Sequence, residues 1–195
     1  MPESLQTLVL YPLSGAQYLL ILLAAVAGVV VLLVVFRKPL RRWRQERQIA
    51  RAVKRMGAKR LVNVRLPDGL GGEVAIDNLL PATDALLVVN VKRFEGLIFG
   101  GEHTDVWTQV INTRSYRFPN PDDYLLLQVN AVRAVAPKAV VRGVHLFTHD
   151  ARFPKGKPSS VLLLEELEHR ARRPRMKHIP GDLRVAWEQV VDALS

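Results

Sequence analysis

The feature that most constrains this chain is the segment "YLLILLAAVAGVVVLLVVF", Tyr18 to Phe36, in which every residue is apolar. As a helix it would span about 28 Å, the thickness of a hydrocarbon core. A cleaved secretory signal is the competing reading. The residues before the run hold Glu3 and neither Lys nor Arg, and the run is longer than a signal's apolar region, so a retained anchor is expected. Residues 37–60 then carry 11 basic side chains against the single acid Glu46. Basic residues beside a span stay on the cytoplasmic side, which predicts an extracytoplasmic N-terminus and a cytoplasmic C-terminal body at the cell membrane. The net charge of +10 is contained in that segment, and the remainder is neutral. High basicity therefore points to anionic lipid headgroups before nucleic acid. With no cysteine, a disulfide framework and a thiolate metal site are excluded. Ala24 and Gly28 form one small-xxx-small pair, which leaves a homo-oligomer open.

These markers divide the chain into an extracytoplasmic segment (1–17), a transmembrane helix (18–36), a basic juxtamembrane segment (37–45), a folded domain (46–173), and a connector with a C-terminal helix (174–195). In the domain, "RWRQERQIARAVKRMG" predicts a helix with Ile49, Val53 and Met56 on one face and Gly57 just past its end. "RLVNVRL" alternates as a half-buried strand, "PDGLGG" turns, and "EVAIDNLL" and "ALLVVNVKR" follow as strands, the last apolar enough to be buried on both faces. "GLIFGG" and "DVWTQVINTRSYRF" read as further short strands. Asn120 followed by Pro121 and two aspartates marks the start of a helix that Pro137 stops. "AVVRGVHLF" is another buried strand, and "SVLLLEELEHRARR" passes from strand to helix. Asp182 is placed as the cap of a last helix with Leu183, Ala186, Val190, Val191 and Leu194 as its apolar stripe. The order is α-β-β-β-α-β, an α/β fold with a mixed sheet flanked by helices.

Polar residues on core strands are the informative ones, because a buried charge needs a partner or a task. Asp77 sits mid-strand in "EVAIDNLL". On the next strand Leu86, Val88, Asn90 and Lys92 share a face by two-residue alternation. A hairpin between the strands would bring Asp77 toward Asn90 and Lys92, as a structural ion pair or as a site. Other signals are weaker. His145 and His149 have a ligand spacing only on a helix, "GLGG" is not followed by the residues of a phosphate loop, and Arg170 to Lys177 is a basic run suited to phosphate, lipid or plain solvent. Trp107, Tyr116 and Phe118, two apart or more, suit sheet faces better than base stacking.

The stretch from Arg60 to Gly101, with Trp107, "YRFPNP" and "GVHLFTHDARF", resembles the nuclease-related domain (NERD) family, held to be related to the PD-(D/E)XK nucleases. The likeness covers about Glu46 to Arg173 and implies a restriction-endonuclease-like α-β-β-β-α-β core. By resemblance, Asp77 is a metal-binding aspartate, Lys92 the catalytic lysine and Glu46 the acid on the preceding helix; Mg2+ is the implied cofactor and nucleic acid the implied substrate. The second strand carboxylate falls at Asn90, which can offer an amide oxygen but removes a negative charge. Where the family has a glutamine after "NP", Tyr124 stands at that spacing, with Gln128 a turn later. The resemblance implies either phosphodiester hydrolysis at a weakened metal site formed by Asp77, Asn90 and Glu46, or a catalytically silent membrane-tethered adaptor for nucleic acid or protein.

Overall fold

A computed structural model describes residues 15–69, 71–148, 150–168 and 173–194. The chain divides into an N-terminal unit ending at Arg47 and a body beginning at Gln48. One helix, α1 (Gly15–Met56), contains the apolar run and continues through the basic segment expected to be a separate stretch. Pro39 lies inside it; a proline removes one main-chain donor, and the residues around it remain helical. An 18-residue window of α1 reaches a mean hydropathy of 3.3 with none of its surface buried, so one described helix is long and apolar enough to cross a membrane. In the N-terminal unit the Arg47 guanidinium stacks 3.6 Å from the Trp43 ring centroid.

The body is built on a five-stranded sheet of order β1-β2-β3-β7-β9. Strands β1 (Leu61–Pro67), β2 (Glu73–Pro81) and β3 (Leu86–Lys92) form an antiparallel meander, and β7 (Val141–Phe147) and β9 (Val161–Leu163) extend it in parallel from β3. The connection from β3 to β7 carries β4 (Gly96–Phe99), β5 (Val106–Ile111), β6 (Arg114–Pro119) and α2 (Pro121–Val135). Helix α2 starts as its sequence dictates: the Asn120 side chain accepts from the Asp122 main-chain N–H at 3.0 Å, and Pro121 takes the first helical position.

The sheet is covered on both faces, which explains the nearly continuous apolar run of β3. On one face Leu79, Leu86 and Val88 meet α2 and α4 (Gly181–Asp192). On the other, Val89, Leu80 and Leu146 meet Ile49, Ala52 and Val53 of α1 and Leu164 and Leu167 of α3 (Leu164–Glu168) or its end. The C-terminal helix is thus part of the body's core and not an appended element, because Leu183, Ala186, Trp187 and Val190 are all buried there. Pro180 occupies its N-cap and Asp182 falls inside the first turn, so the expected aspartate cap is not made. Val191, placed on the apolar stripe, stays 38 % exposed, and Trp187 is buried in its stead.

The short strands form a second sheet, β6-β5-β4-β8, with β8 at Ala151–Arg152. Its core is aromatic. Trp107 and Phe147 are sealed from solvent and stacked at 6.4 Å, with Phe118 and Phe153 against the indole. Gly100 is required there, since a Cβ would stand 2.2 Å from the indole. Phe147 ends β7, so this cluster ties the small sheet to the last residue of the main one.

Candidate active site

The β2–β3 ladder runs from Pro81↔Leu86 to Leu79↔Val88 and stops there. Asp77 and Asn90, the next residues but one on each strand, lie beyond the last rung. On the other side of β2, the ladder with β1 skips Asn63, which stands opposite Asp77 and takes a left-handed backbone (φ 52°). Asparagine tolerates that conformation better than most side chains. Asp77 is thereby held at an exposed, loosened point of the sheet.

Helix α2 fills the wedge between the parting strands. The Ala75 carbonyl of β2 accepts from Gln128 Nε2 at 2.7 Å and from the Tyr124 hydroxyl at 3.2 Å. With its nitrogen turned to that carbonyl, Gln128 presents Oε1 to Asn90, whose Nδ2 donates at 2.6 Å. The opposite assignment of Gln128 would set two carbonyl oxygens against each other, so a single main-chain acceptor fixes both amides. Asn90 Oδ1 is left buried and without a protein partner. A carboxylate at this position could not donate to Gln128. The amide is therefore fitted to α2.

Beyond Asn90 the sheet continues intact. β3 pairs with β7 over its full length, with Asn90 opposite His145 and Lys92 opposite Phe147. His145 is fully buried; its Nε2 lies 3.0 Å from Asp122 Oδ1, and its Nδ1 has no partner. Burial and the Lys92 ammonium draw the imidazole down to about 4, and Asp122 only partly opposes them. The ring is therefore neutral at pH 7, donating from Nε2 to the carboxylate and leaving Nδ1 as a bare acceptor. Lys92 is half-buried, and burial pulls its ammonium below the ordinary lysine value while the Asp77 carboxylate pushes back.

The structure thus links Asp77, Lys92, His145 and Asp122 electrostatically, with Asn90, bonded to Gln128, opposite His145 in the ladder. Asp77 is open to solvent and Lys92 half-open, whereas Asn90 is only 3 % exposed. Glu46 lies on α1 within the N-terminal unit. Among the described residues no group of three or more His, Asp or Glu side chains is arranged to hold a metal ion. Of the two histidines at ligand spacing, His145 is a buried core residue and His149 lies outside the described residues.

Gln128, His145 and Asp122 are the members that strand alternation does not reveal. Gln128 had a signal: it interrupts the otherwise apolar buried stripe of Leu125, Val129 and Val132 on α2. His145 likewise stands between the apolar Val144 and Leu146 of β7.

The family description "nuclease-related domain" matches residues 41–148. An uncharacterized protein of Bacillus anthracis is 29% identical over 111 residues, covering 54% of this chain and 52% of that protein. The chain thus spans about half the length of this curated relative. No solved structure matches the chain. With more than half of its residues inside the family match, and with the mixed sheet and helix order just described, the chain belongs to the nuclease-related domain (NERD) family.

Proposed function

We propose that the body is a membrane-tethered, nuclease-related module that hydrolyses nucleic-acid phosphodiester bonds slowly, with Asp77 and Lys92 as its working residues. The observation that carries this reading is the electrostatic coupling of Asp77 and Lys92 at a solvent-reachable point of the sheet. As an ammonium, Lys92 offsets charge gathering on a phosphate. Its lowered proton affinity also enlarges the fraction of free amine, which can orient or deprotonate a water.

Mg2+ favours an octahedral shell of oxygens and retains several waters. Asp77 offers one exposed carboxylate, while Asn90 Oδ1 is unpartnered but sealed from solvent, so of the two Asp77 alone is placed to meet an ion and would hold it weakly. When bound, such an ion would polarise the phosphate and lower the pKa of a coordinated water. Asp77 would hold it, and the chain's remaining task is positioning: Gln128 keeps the Asn90 oxygen turned away from α2, and the Asp122–His145 pair keeps an uncharged ring beside Lys92.

Tethering follows from α1. Its apolar part would span the bilayer with the N-terminus outside, and the basic residues that directly follow it, Arg37 to Arg44, would meet anionic headgroups on the cytoplasmic side.

One observation favours a second reading, a silent adaptor that grips a phosphate backbone: Asn90 Oδ1 is shut from solvent. Full-length protein in nanodiscs should nick plasmid DNA or single-stranded RNA with Mg2+ or Mn2+, and Lys92→Ala should abolish this. Equal background from both proteins ends the hydrolytic reading. Metal-independent binding that weakens steeply with salt would then mark the adaptor.

A further inference from the structure

The face of the main sheet opposite α2 is not wholly roofed. Between the last turn of α1 and α3, half-buried Leu87 of β3, Val144 of β7 and Leu162 of β9 form the floor of a pocket of ≈ 990 Å³. That volume is at the upper end for small-molecule sites. It opens near the first residues of β3 and β7, away from Asn90 and Lys92 at their far ends and on the other face of the sheet.

Its rim is basic. Arg142 is paired with Asp84 at 2.6 Å, and Arg173 turns its Nε to the Gly57 carbonyl at 3.2 Å. Arg55, Arg175 and His178 also line the opening, and among the described residues none of the three has an ion pair. Asp84, already bonded to Arg142, is the one acid among the described lining residues. Cations over a half-buried aliphatic floor complement a ligand that is anionic at one end and apolar at the other. Three adjacent strands about 4.8 Å apart make that floor about 10 Å wide, enough for a planar bicyclic ring and too short for a fatty acyl chain.

We propose that this pocket binds a nucleoside phosphate, its base on Leu87, Val144 and Leu162 and its phosphates against Arg55 and Arg175. The site is independent of Asp77 and Lys92, so Lys92→Ala should bind the same ligand unchanged.

The test is calorimetric titration of full-length protein in phosphatidylcholine nanodiscs with ADP, pyrophosphate and short-chain phosphatidic acid. ADP should bind, with pyrophosphate at least about tenfold weaker because it lacks a group for the floor. Each of Arg55→Glu and Arg175→Glu should weaken ADP about tenfold or more, the usual loss for one hydrogen bond to a charged group. The exposed Lys138→Glu, a control for net charge, should leave binding intact. No ADP binding at millimolar concentration, equal affinity for pyrophosphate, full affinity in both arginine variants, or tighter binding of phosphatidic acid would each overturn the proposal.

Discussion

The buried histidine gives the sharpest prediction, and its sign follows from two protonation states. In the unfolded chain the His145 imidazole titrates near 6.5; in the folded protein it is drawn to about 4 by burial and the Lys92 ammonium. Between those values the unfolded state takes up a proton that the folded state refuses. Stability is therefore full above about pH 6.5 and falls as the pH drops toward 4. The shift amounts to about 3 kcal/mol at its limit, of which about 2 kcal/mol is lost between pH 7 and pH 4.5. His145→Gln keeps a donor for Asp122 and does not titrate, so it isolates this contribution from the acids of the chain. Urea unfolding of the full-length protein, followed by the fluorescence of buried Trp107 and Trp187, supplies the measurement at both pH values. Wild type should lose about 2 kcal/mol more than the variant over that interval. Parallel pH profiles would refute the reasoning, because a histidine that titrates normally in the folded state contributes no such difference.

Asn90→Asp should destabilise the fold by about 1–3 kcal/mol at neutral pH, since an ionised carboxylate cannot donate to Gln128 Oε1. The loss relative to wild type should shrink at pH 5, where a protonated acid can donate; a pH-independent loss in urea titrations would count against the amide chain. Gly143→Ala should cost about 1–3 kcal/mol because the added Cβ would lie 2.5 Å from Leu125 Cγ, closing the approach of α2 to β7; an unchanged urea midpoint would contradict that packing. The sequence has no cysteine, so single cysteines at positions 3 and 45 can map the anchor cleanly. Position 3 should react with an impermeant maleimide on intact cells and position 45 only after permeabilisation, whereas the reverse pattern would invert the proposed orientation.

Local chemistry was legible wherever one residue type dictates the backbone. The apolar run, the Asn120–Pro121 start of α2 and the two-faced burial of β3 all follow from neighbours in sequence. The shared face of Asn90 and Lys92 follows from alternation alone. What the sequence concealed was register. The rungs between β2 and β3 end two residues before Asp77 on one strand and Asn90 on the other, and nothing in "AIDNLL" announces this. The bond from Asn90 to Gln128 spans 38 positions, so it depends on how far α2 slides along the sheet. The family's spacing pointed to Tyr124; in the structure Tyr124 and Gln128 converge on the same Ala75 carbonyl. The second sheet was visible as strands but not as a sheet, because its aromatic core draws Phe147 from β7 and Val161 from β9.

Cleavage assayed on full-length protein in nanodiscs, wild type against Lys92→Ala, tests the central claim most directly. With Asp77 holding the ion, wild-type nicking should depend on Mg2+ or Mn2+, and removal of the half-buried Lys92 amine should bring the rate down to the protein-free background. A divalent-dependent rate that survives in Lys92→Ala, or no cleavage by either protein, would contradict an active site at these residues.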